Sequence, residues 1–141
     1  MLAYPASFTK DEEGITIRFR DFPEALSFAD DREEAERIAS DALEEVLAGR
    51  MNRREDIHSP SELLAGEVLV FPPSQTAIKA FIWKTMRDMG LRKADLARLL
   101  TWDERQVDRL LNPHHASRMG HIDTALAALG KRLVVEVRDA A

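Results

Sequence analysis

The stretch Lys93–Asn112, KADLARLLTWDERQVDRLLN, decides how the second half of this chain is read. Leu96, Ala97, Leu99 and Leu100 fall on one face of a first helix, and Val107, Leu110 and Leu111 on one face of a second. Asp103 is placed to N-cap the second helix, and Gln106, three residues on, to reach back to it, the spacing of a capping box. The small Ala97 admits a close approach of the second helix. Glu104, Arg105, Asp108 and Arg109 are then left facing outward. That layout is a helix-turn-helix whose second helix enters a DNA major groove. A helical hairpin with a merely solvated polar face shares the pattern. Thr101 holds the turn position that such motifs mostly fill with Gly. A β-branched residue resists positive φ, so a turn of different detail is expected.

Composition sets the wider frame. The 141 residues suit one medium domain or two small ones, and 45% hydrophobic with 32% charged residues is ordinary for a globular protein. The chain has no cysteine, which excludes disulfides and thiolate metal sites. No apolar run approaches the roughly 20 residues of a membrane span. MLAYPASFTKDEEG lacks the basic start and apolar core of a signal peptide, so a cytoplasmic protein is expected. The net charge of −5 is unevenly spread. Residues 1–70 hold 8 Lys and Arg against 17 Asp and Glu, a net of −9; residues 71–141 hold 12 against 8, a net of +4. An acidic half suits a basic partner and a basic half a polyanion. The change falls at Phe71-Pro72-Pro73-Ser74, where Pro-Pro disfavours helix and ladder alike, so domains over 1–71 and 74–141 are expected.

The first of these reads as β-β-β-α-β. Leu2, Tyr4, Ala6 and Phe8 alternate in a first strand, and Ile15, Ile17 and Phe19 in a second beyond the Lys10–Gly14 loop. Asp21-Phe22-Pro23-Glu24 is a turn, and Ala25–Ala29 a short antiparallel third strand. Asp31 caps a helix whose core stripe is Ala35, Ile38, Ala39, Ala42, Leu43, Val46 and Leu47, with Gly49 to end it. Glu33, Glu36, Arg37, Asp41, Glu44 and Glu45 make its polar face. Met51–His58 is a loop, Pro60–Leu64 one helical turn, and Glu67–Phe71 a strand that pairs with the first.

After Pro73 the pattern is helical. A helix runs from Ser74 to about Met89, with Ile78, Phe81, Ile82, Thr85 and Met86 on one side, Trp83 beside them and Gly90 at its end. A last short helix covers Ile122–Leu129. Leu133–Val137 then reads as a terminal strand with nothing nearby to pair with. It either packs on its own helices or pairs with its copy in a homodimer, through Leu133, Val135 and Val137.

This order of parts resembles HicB antitoxins of the helix-turn-helix variety. The residues that carry the resemblance are the Tyr-Pro strand, Asp21–Ala25 (DFPEA), Asn112–Ser117 (NPHHAS) and Leu129–Val137 (LGKRLVVEV), in that order around the helical pair. The resemblance spans nearly the whole chain. It implies an α+β fold with a partial ribonuclease-H-like N-terminal domain lacking catalysis, and a C-terminal all-α helix-turn-helix domain carrying the terminal strand. The implied partners are a HicA-like toxin, a small basic ribonuclease, and operator DNA. The implied toxin-facing residues are Asp21, Phe22, Glu24, Glu36 and Glu44.

Chemistry of other kinds finds little support. Two-metal phosphodiester cleavage needs carboxylates converging on one dry site, and these strands carry almost none inward. His114, His115 and His121 are joined by no Cys or well-spaced carboxylate, so no metal and no cofactor are expected. For DNA, Arg105 and Arg109 are the first candidates, since Arg fits guanine in two-pronged fashion. Gln106 reads adenine or is spent on the cap. Arg92, Lys93, His114, His115 and Arg118 suit phosphates. Asp108 is expected to pair with Arg105 or Arg109 and aim it. A regulator that senses a small ligand, and a divergent nuclease, are the competing classes.

Overall fold

The structure, a computed structural model, describes residues 1–140. Its elements are β1 (Tyr4–Asp11), β2 (Gly14–Phe19), a 3-10 turn (Pro23–Ala25), β3 (Ser27–Ala29), α1 (Arg32–Asn52), β4 (Glu67–Val70), α2 (Ser74–Asp88), α3 (Lys93–Leu100), α4 (Glu104–Leu110) and α5 (Met119–Ala128). The fold is α+β. The four strands form one antiparallel sheet in the order β3-β2-β1-β4, with Ala6 opposite both Phe19 and Val68.

Alternation decides which face of the sheet is covered. Tyr4, Ala6, Ile15, Ile17, Phe19, Ala29 and Val70 are buried, and α1 meets them with Ala35, Ala39, Leu43, Val46, Leu47 and Met51. The β1–β2 turn is tight, with Asp11 opposite Gly14. Only glycine fits there: its φ is +140°, and a Cβ would lie 2.5 Å from the Ala29 carbonyl oxygen. Asp31 accepts the Glu34 N–H at 2.9 Å, while Glu34 reaches back one residue further, to the Asp30 N–H at 3.0 Å.

Several expected boundaries move. Helix α1 runs through Gly49 to Asn52, because Met51 continues the apolar stripe and is 4% exposed. Burying Met51 outweighs the cost of about 1 kcal/mol for an interior glycine. The chain leaves α1 through Arg54, at φ 59°. Pro60–Leu64 forms no helical turn. That segment is tied to the sheet instead: Asp21 accepts the Ser61 N–H at 3.0 Å, and Arg20 donates to the Glu62 carbonyl at 2.7 Å. Helix α5 starts at Met119, three residues early.

Helix α2 turns the expected Ile82, Thr85 and Met86 inward, but the buried face is displaced toward Thr76, Lys79 and Ala80 and away from Phe81. Thr76, Lys79, Ala80, Ile82, Trp83, Thr85 and Met86 are buried, while Phe81 is 41% exposed. Buried side chains from both halves of the chain join in one core cluster. Polar ties also cross between the halves. The Trp83 indole N–H donates to the Glu55 carbonyl at 3.0 Å, and Lys84 to the Ile57 carbonyl at 2.7 Å. The Thr76 hydroxyl donates to Glu44 at 2.7 Å.

The expected terminal strand is not formed within the chain. Residues 131–140 have no ladder partner, and Val134, Val135 and Val137 are 81%, 72% and 90% exposed. Leu133, by contrast, is half-buried against the core. Among the described residues, no helix is long and apolar enough to cross a membrane.

Candidate nucleic-acid and protein interfaces

Helices α3 and α4 are joined by a three-residue turn. Thr101 takes the left-handed conformation after all, at φ 57° and ψ 41°. It does so because two hydrogen bonds close α3 around it, Thr101 N–H to the Arg98 carbonyl and Trp102 N–H to the Ala97 carbonyl at 2.9 Å. Leu96 and Ala97 of α3 are buried, as are Val107 and Leu110 of α4. The Asp103–Gln106 capping box forms in both directions, at 2.8 and 3.0 Å. Gln106 is therefore spent at least partly on the cap.

Glu104, Arg105, Asp108 and Arg109 are exposed on the far side of α4. Among the described residues, neither Arg105 nor Arg109 has an ion-pair partner. Asp108 pairs with neither arginine, a correction to expectation: it holds Lys93 of α3 at 3.0 Å. The reason is reach across the helix pair, which brings the α3 N-terminus against the middle of α4. Lys93 is thus committed to a protein carboxylate. Arg92 and Arg118 stay exposed beside the N-termini of α3 and α5.

The loop from Asn112 to Ser117 is held from beneath by two residues that sequence reasoning passes over. Gln75 of α2 donates to the Ser117 carbonyl at 2.9 Å and accepts its N–H at 2.8 Å. Lys79, one turn on, has no exposed surface. Its ammonium donates to the carbonyls of Arg109 (3.1 Å), Asn112 (2.9 Å) and His115, and to the Ser117 hydroxyl (2.9 Å). Burial pushes this ammonium down to about 8, so it stays charged at neutral pH. The available signal was its place on the Thr76–Ala80–Trp83 face of α2.

His114 lies against α1 while staying about half exposed. Its Nδ1 lies 3.6 Å from Glu44 and its Nε2 3.4 Å from Glu45. The three side chains bring ligand atoms within 4.8 Å of one another, a grouping the sequence did not reveal. Each ring nitrogen faces a different carboxylate. His115 and Arg118 are exposed, and His121 packs edge-on to Trp102 at 5.3 Å.

The expected toxin-facing residues are dispersed, and most are engaged locally. Phe22 is fully buried, edge-on to Tyr4 at 4.8 Å, and offers no contact surface. Its hydrophobic ring closes the core beneath the 3-10 turn, which overturns its assignment to an interface. Asp21 accepts from both the backbone and the hydroxyl of Ser61. Glu24 is bound by Arg50 at 2.7 Å, and Glu44 by Thr76. Glu36 stays on the solvent face of α1, beside Arg32 at 3.4 Å. On the opposite face of the sheet, Phe28 is 66% and Leu69 37% exposed, with Thr16 and Arg18 between them in the alternation. Strand alternation carried that signal, since Phe28 and Leu69 fall out of step with the buried set.

Comparison with known proteins completes the picture. Residues 3–81 match a family described as HicB_like antitoxin of bacterial toxin-antitoxin system. The chain is similar to Antitoxin HicB 2 of Photorhabdus laumondii subsp. laumondii, 37% identical with 94% of each chain covered. It is also similar to Antitoxin HicB of Pseudomonas fluorescens, 31% identical over 99% of this chain and 97% of that one. Antitoxin HicB of Escherichia coli K12 is 30% identical, over 94% of this chain and 96% of its own.

Proposed function

The chain belongs to the HicB-like antitoxin family, and from that premise we propose that it neutralises a HicA-type ribonuclease toxin and represses its own operon. Residues 1–71 serve as the toxin-binding module and 74–141 as the DNA-binding and dimerisation module. The observation that carries the DNA half is the display of Arg105 and Arg109 on the free face of α4, with Asp108 already neutralised by Lys93. On this reading α3 and α4 are a helix-turn-helix, α4 lies in the major groove, and Arg92 and Arg118 serve phosphates. The net −9 of residues 1–70 steers a basic toxin, while the open sheet face with Phe28 and Leu69 supplies apolar contact. Coverage of the toxin, with no catalysis by this chain, is the mechanism. Pairing of residues 133–137 across a two-fold axis makes the homodimer and hides Val135 and Val137. Operator half-sites then lie about 34–36 Å apart, or a multiple of that.

Removing both arginines tests the assignment. Arg105→Ala with Arg109→Ala should abolish binding to DNA upstream of the chain's own reading frame and leave toxin neutralisation intact. Retention of the native footprint by that variant discards the DNA reading.

One observation favours a second reading, a regulator that senses a small ligand. A cleft of about 570 Å³ between α1 and α4 is lined by Glu45, Trp83, Lys93, Asp108 and His114. A small basic protein encoded next to this chain, co-purifying with it, favours the antitoxin. Its absence favours the sensor.

A further inference from the structure

We propose that Lys79 is the positioning residue for α4: its buried ammonium gathers the oxygens at the C-terminal end of that helix, and so fixes how Arg105 and Arg109 project. This rests on reading α4 as the DNA-contacting helix. Helix α4 has only 7 residues, too few to be stable by itself; Val107 and Leu110 seat it on the core, and contacts at its two ends fix how it lies there. The Asp103–Gln106 box grips the first end. At the other end the last-turn carbonyl of Arg109 accepts from Lys79, as do the Asn112 and His115 carbonyls and the Ser117 hydroxyl. The residue whose guanidinium faces outward is thus held through its own backbone by a cation beneath it.

Two features make this a positioning role rather than simple packing. A cation at a helix C-terminus meets the negative end of the helix dipole, so the grip is directional. An apolar side chain in its place would leave the His115 carbonyl and the Ser117 hydroxyl without this donor, and the Arg109 and Asn112 carbonyls with only the N–H groups of Asn112 and His115. Buried acceptors without donors are costly, so the Asn112–Ser117 loop would swing toward water and draw the end of α4 with it. Meanwhile α2 itself is fixed by Trp83 and Lys84, which donate to the Glu55 and Ile57 carbonyls. A change at residue 79 would therefore move α4 against a stationary α2.

The absence of cysteine from the sequence allows a chemical test. Lys79→Cys, unfolded and alkylated with 2-bromoethylamine, regains an ammonium on a chain of native length. Alkylation with 1-bromopropane gives a neutral chain of the same length. Both proteins are refolded and titrated with a duplex covering the DNA upstream of the chain's own reading frame. Amide shifts are recorded across the whole chain. The aminoethyl protein should bind like the native one. The propyl protein should stay folded, bind about tenfold or more weakly, as for one lost arginine contact, and shift amides chiefly within residues 104–117. Equal binding by the two alkylated proteins overturns the proposal. So does an unfolded propyl protein, because Lys79 would then hold the fold rather than aim a helix. If native protein and the Arg105→Ala, Arg109→Ala variant bind this DNA alike, the DNA reading fails by itself. The amide shifts still decide whether Lys79 sets the position of α4.

Discussion

Lys93, the first residue of α3, and Asp108, in the middle of α4, form a 3.0 Å ion pair across the turn that joins the two helices. The pair removes one cation and one anion from the face proposed to meet DNA. Its stability contribution is small, since both groups are partly exposed and such pairs are worth at most about 1 kcal/mol. Its electrostatic role is larger. Asp108→Ala should leave the fold intact, free Lys93 for a phosphate, and tighten operator binding. The slope of log affinity against log salt should steepen by about 1. A salt titration checks this, and unchanged or weaker binding contradicts it.

Thr101 holds a left-handed conformation at φ 57° without glycine's freedom. That conformation costs an L-residue roughly 1–2 kcal/mol, part of which glycine would lose again through its more flexible unfolded chain. Thr101→Gly should therefore stabilise the protein by up to about 1 kcal/mol in urea unfolding. Thr101 is exposed, so no packing is sacrificed. A lower midpoint in the variant would show that the turn is not strained.

Burial places the Lys79 ammonium at about 8, against 10.5 for a free lysine. Between those values the unfolded chain binds more protons than the folded one, so this group's contribution to stability rises with pH. Below pH 8 both states are protonated and the contribution is flat. Lys79→Met lacks the group, and every other titration is common to both proteins. Native stability minus variant stability should therefore climb from pH 8 to 10 and stay level from pH 6 to 7.5, as read by urea unfolding at each pH. A level difference throughout would mean that Lys79 titrates normally.

Val135 is 72% exposed in the single chain and would lie inside the proposed strand pair. Val135→Asp sets two like charges near the two-fold axis, where opposed charges repel. The variant should sediment as a monomer, bind operator DNA poorly and keep its toxin affinity. A dimeric variant would place the subunit contact elsewhere.

The sheet was largely legible because periodicity two is a strong signal when one face is buried. Ile15, Ile17 and Phe19 alternate without a break, and all three are core. The Asp103–Gln106 box was legible for the same local reason. What escaped depends on groups distant in sequence. Lys79 was missed because its four acceptors lie 30 to 38 residues away. Phe22 looked available because the ring that covers it, Tyr4, lies 18 residues earlier, on the neighbouring strand of the hairpin. The Lys93–Asp108 pair crosses 15 residues and a turn, whereas helix-surface rules consider only three or four. Leu133–Val137 has strand composition but, among the described residues, no neighbour to complete a ladder.

The double proline at 72–73 parts the two proposed modules by role, yet packing joins them across it. Trp83 and Lys84 are capped by carbonyls of residues 55 and 57, and the buried side chains on either side of the prolines share one interior. Severing the backbone there would strand an indole and an ammonium and lay bare apolar surface on both fragments. Swapping such pieces between relatives should therefore carry the 53–58 segment along with α2, so that the graft follows the shared interior and not the proline landmark.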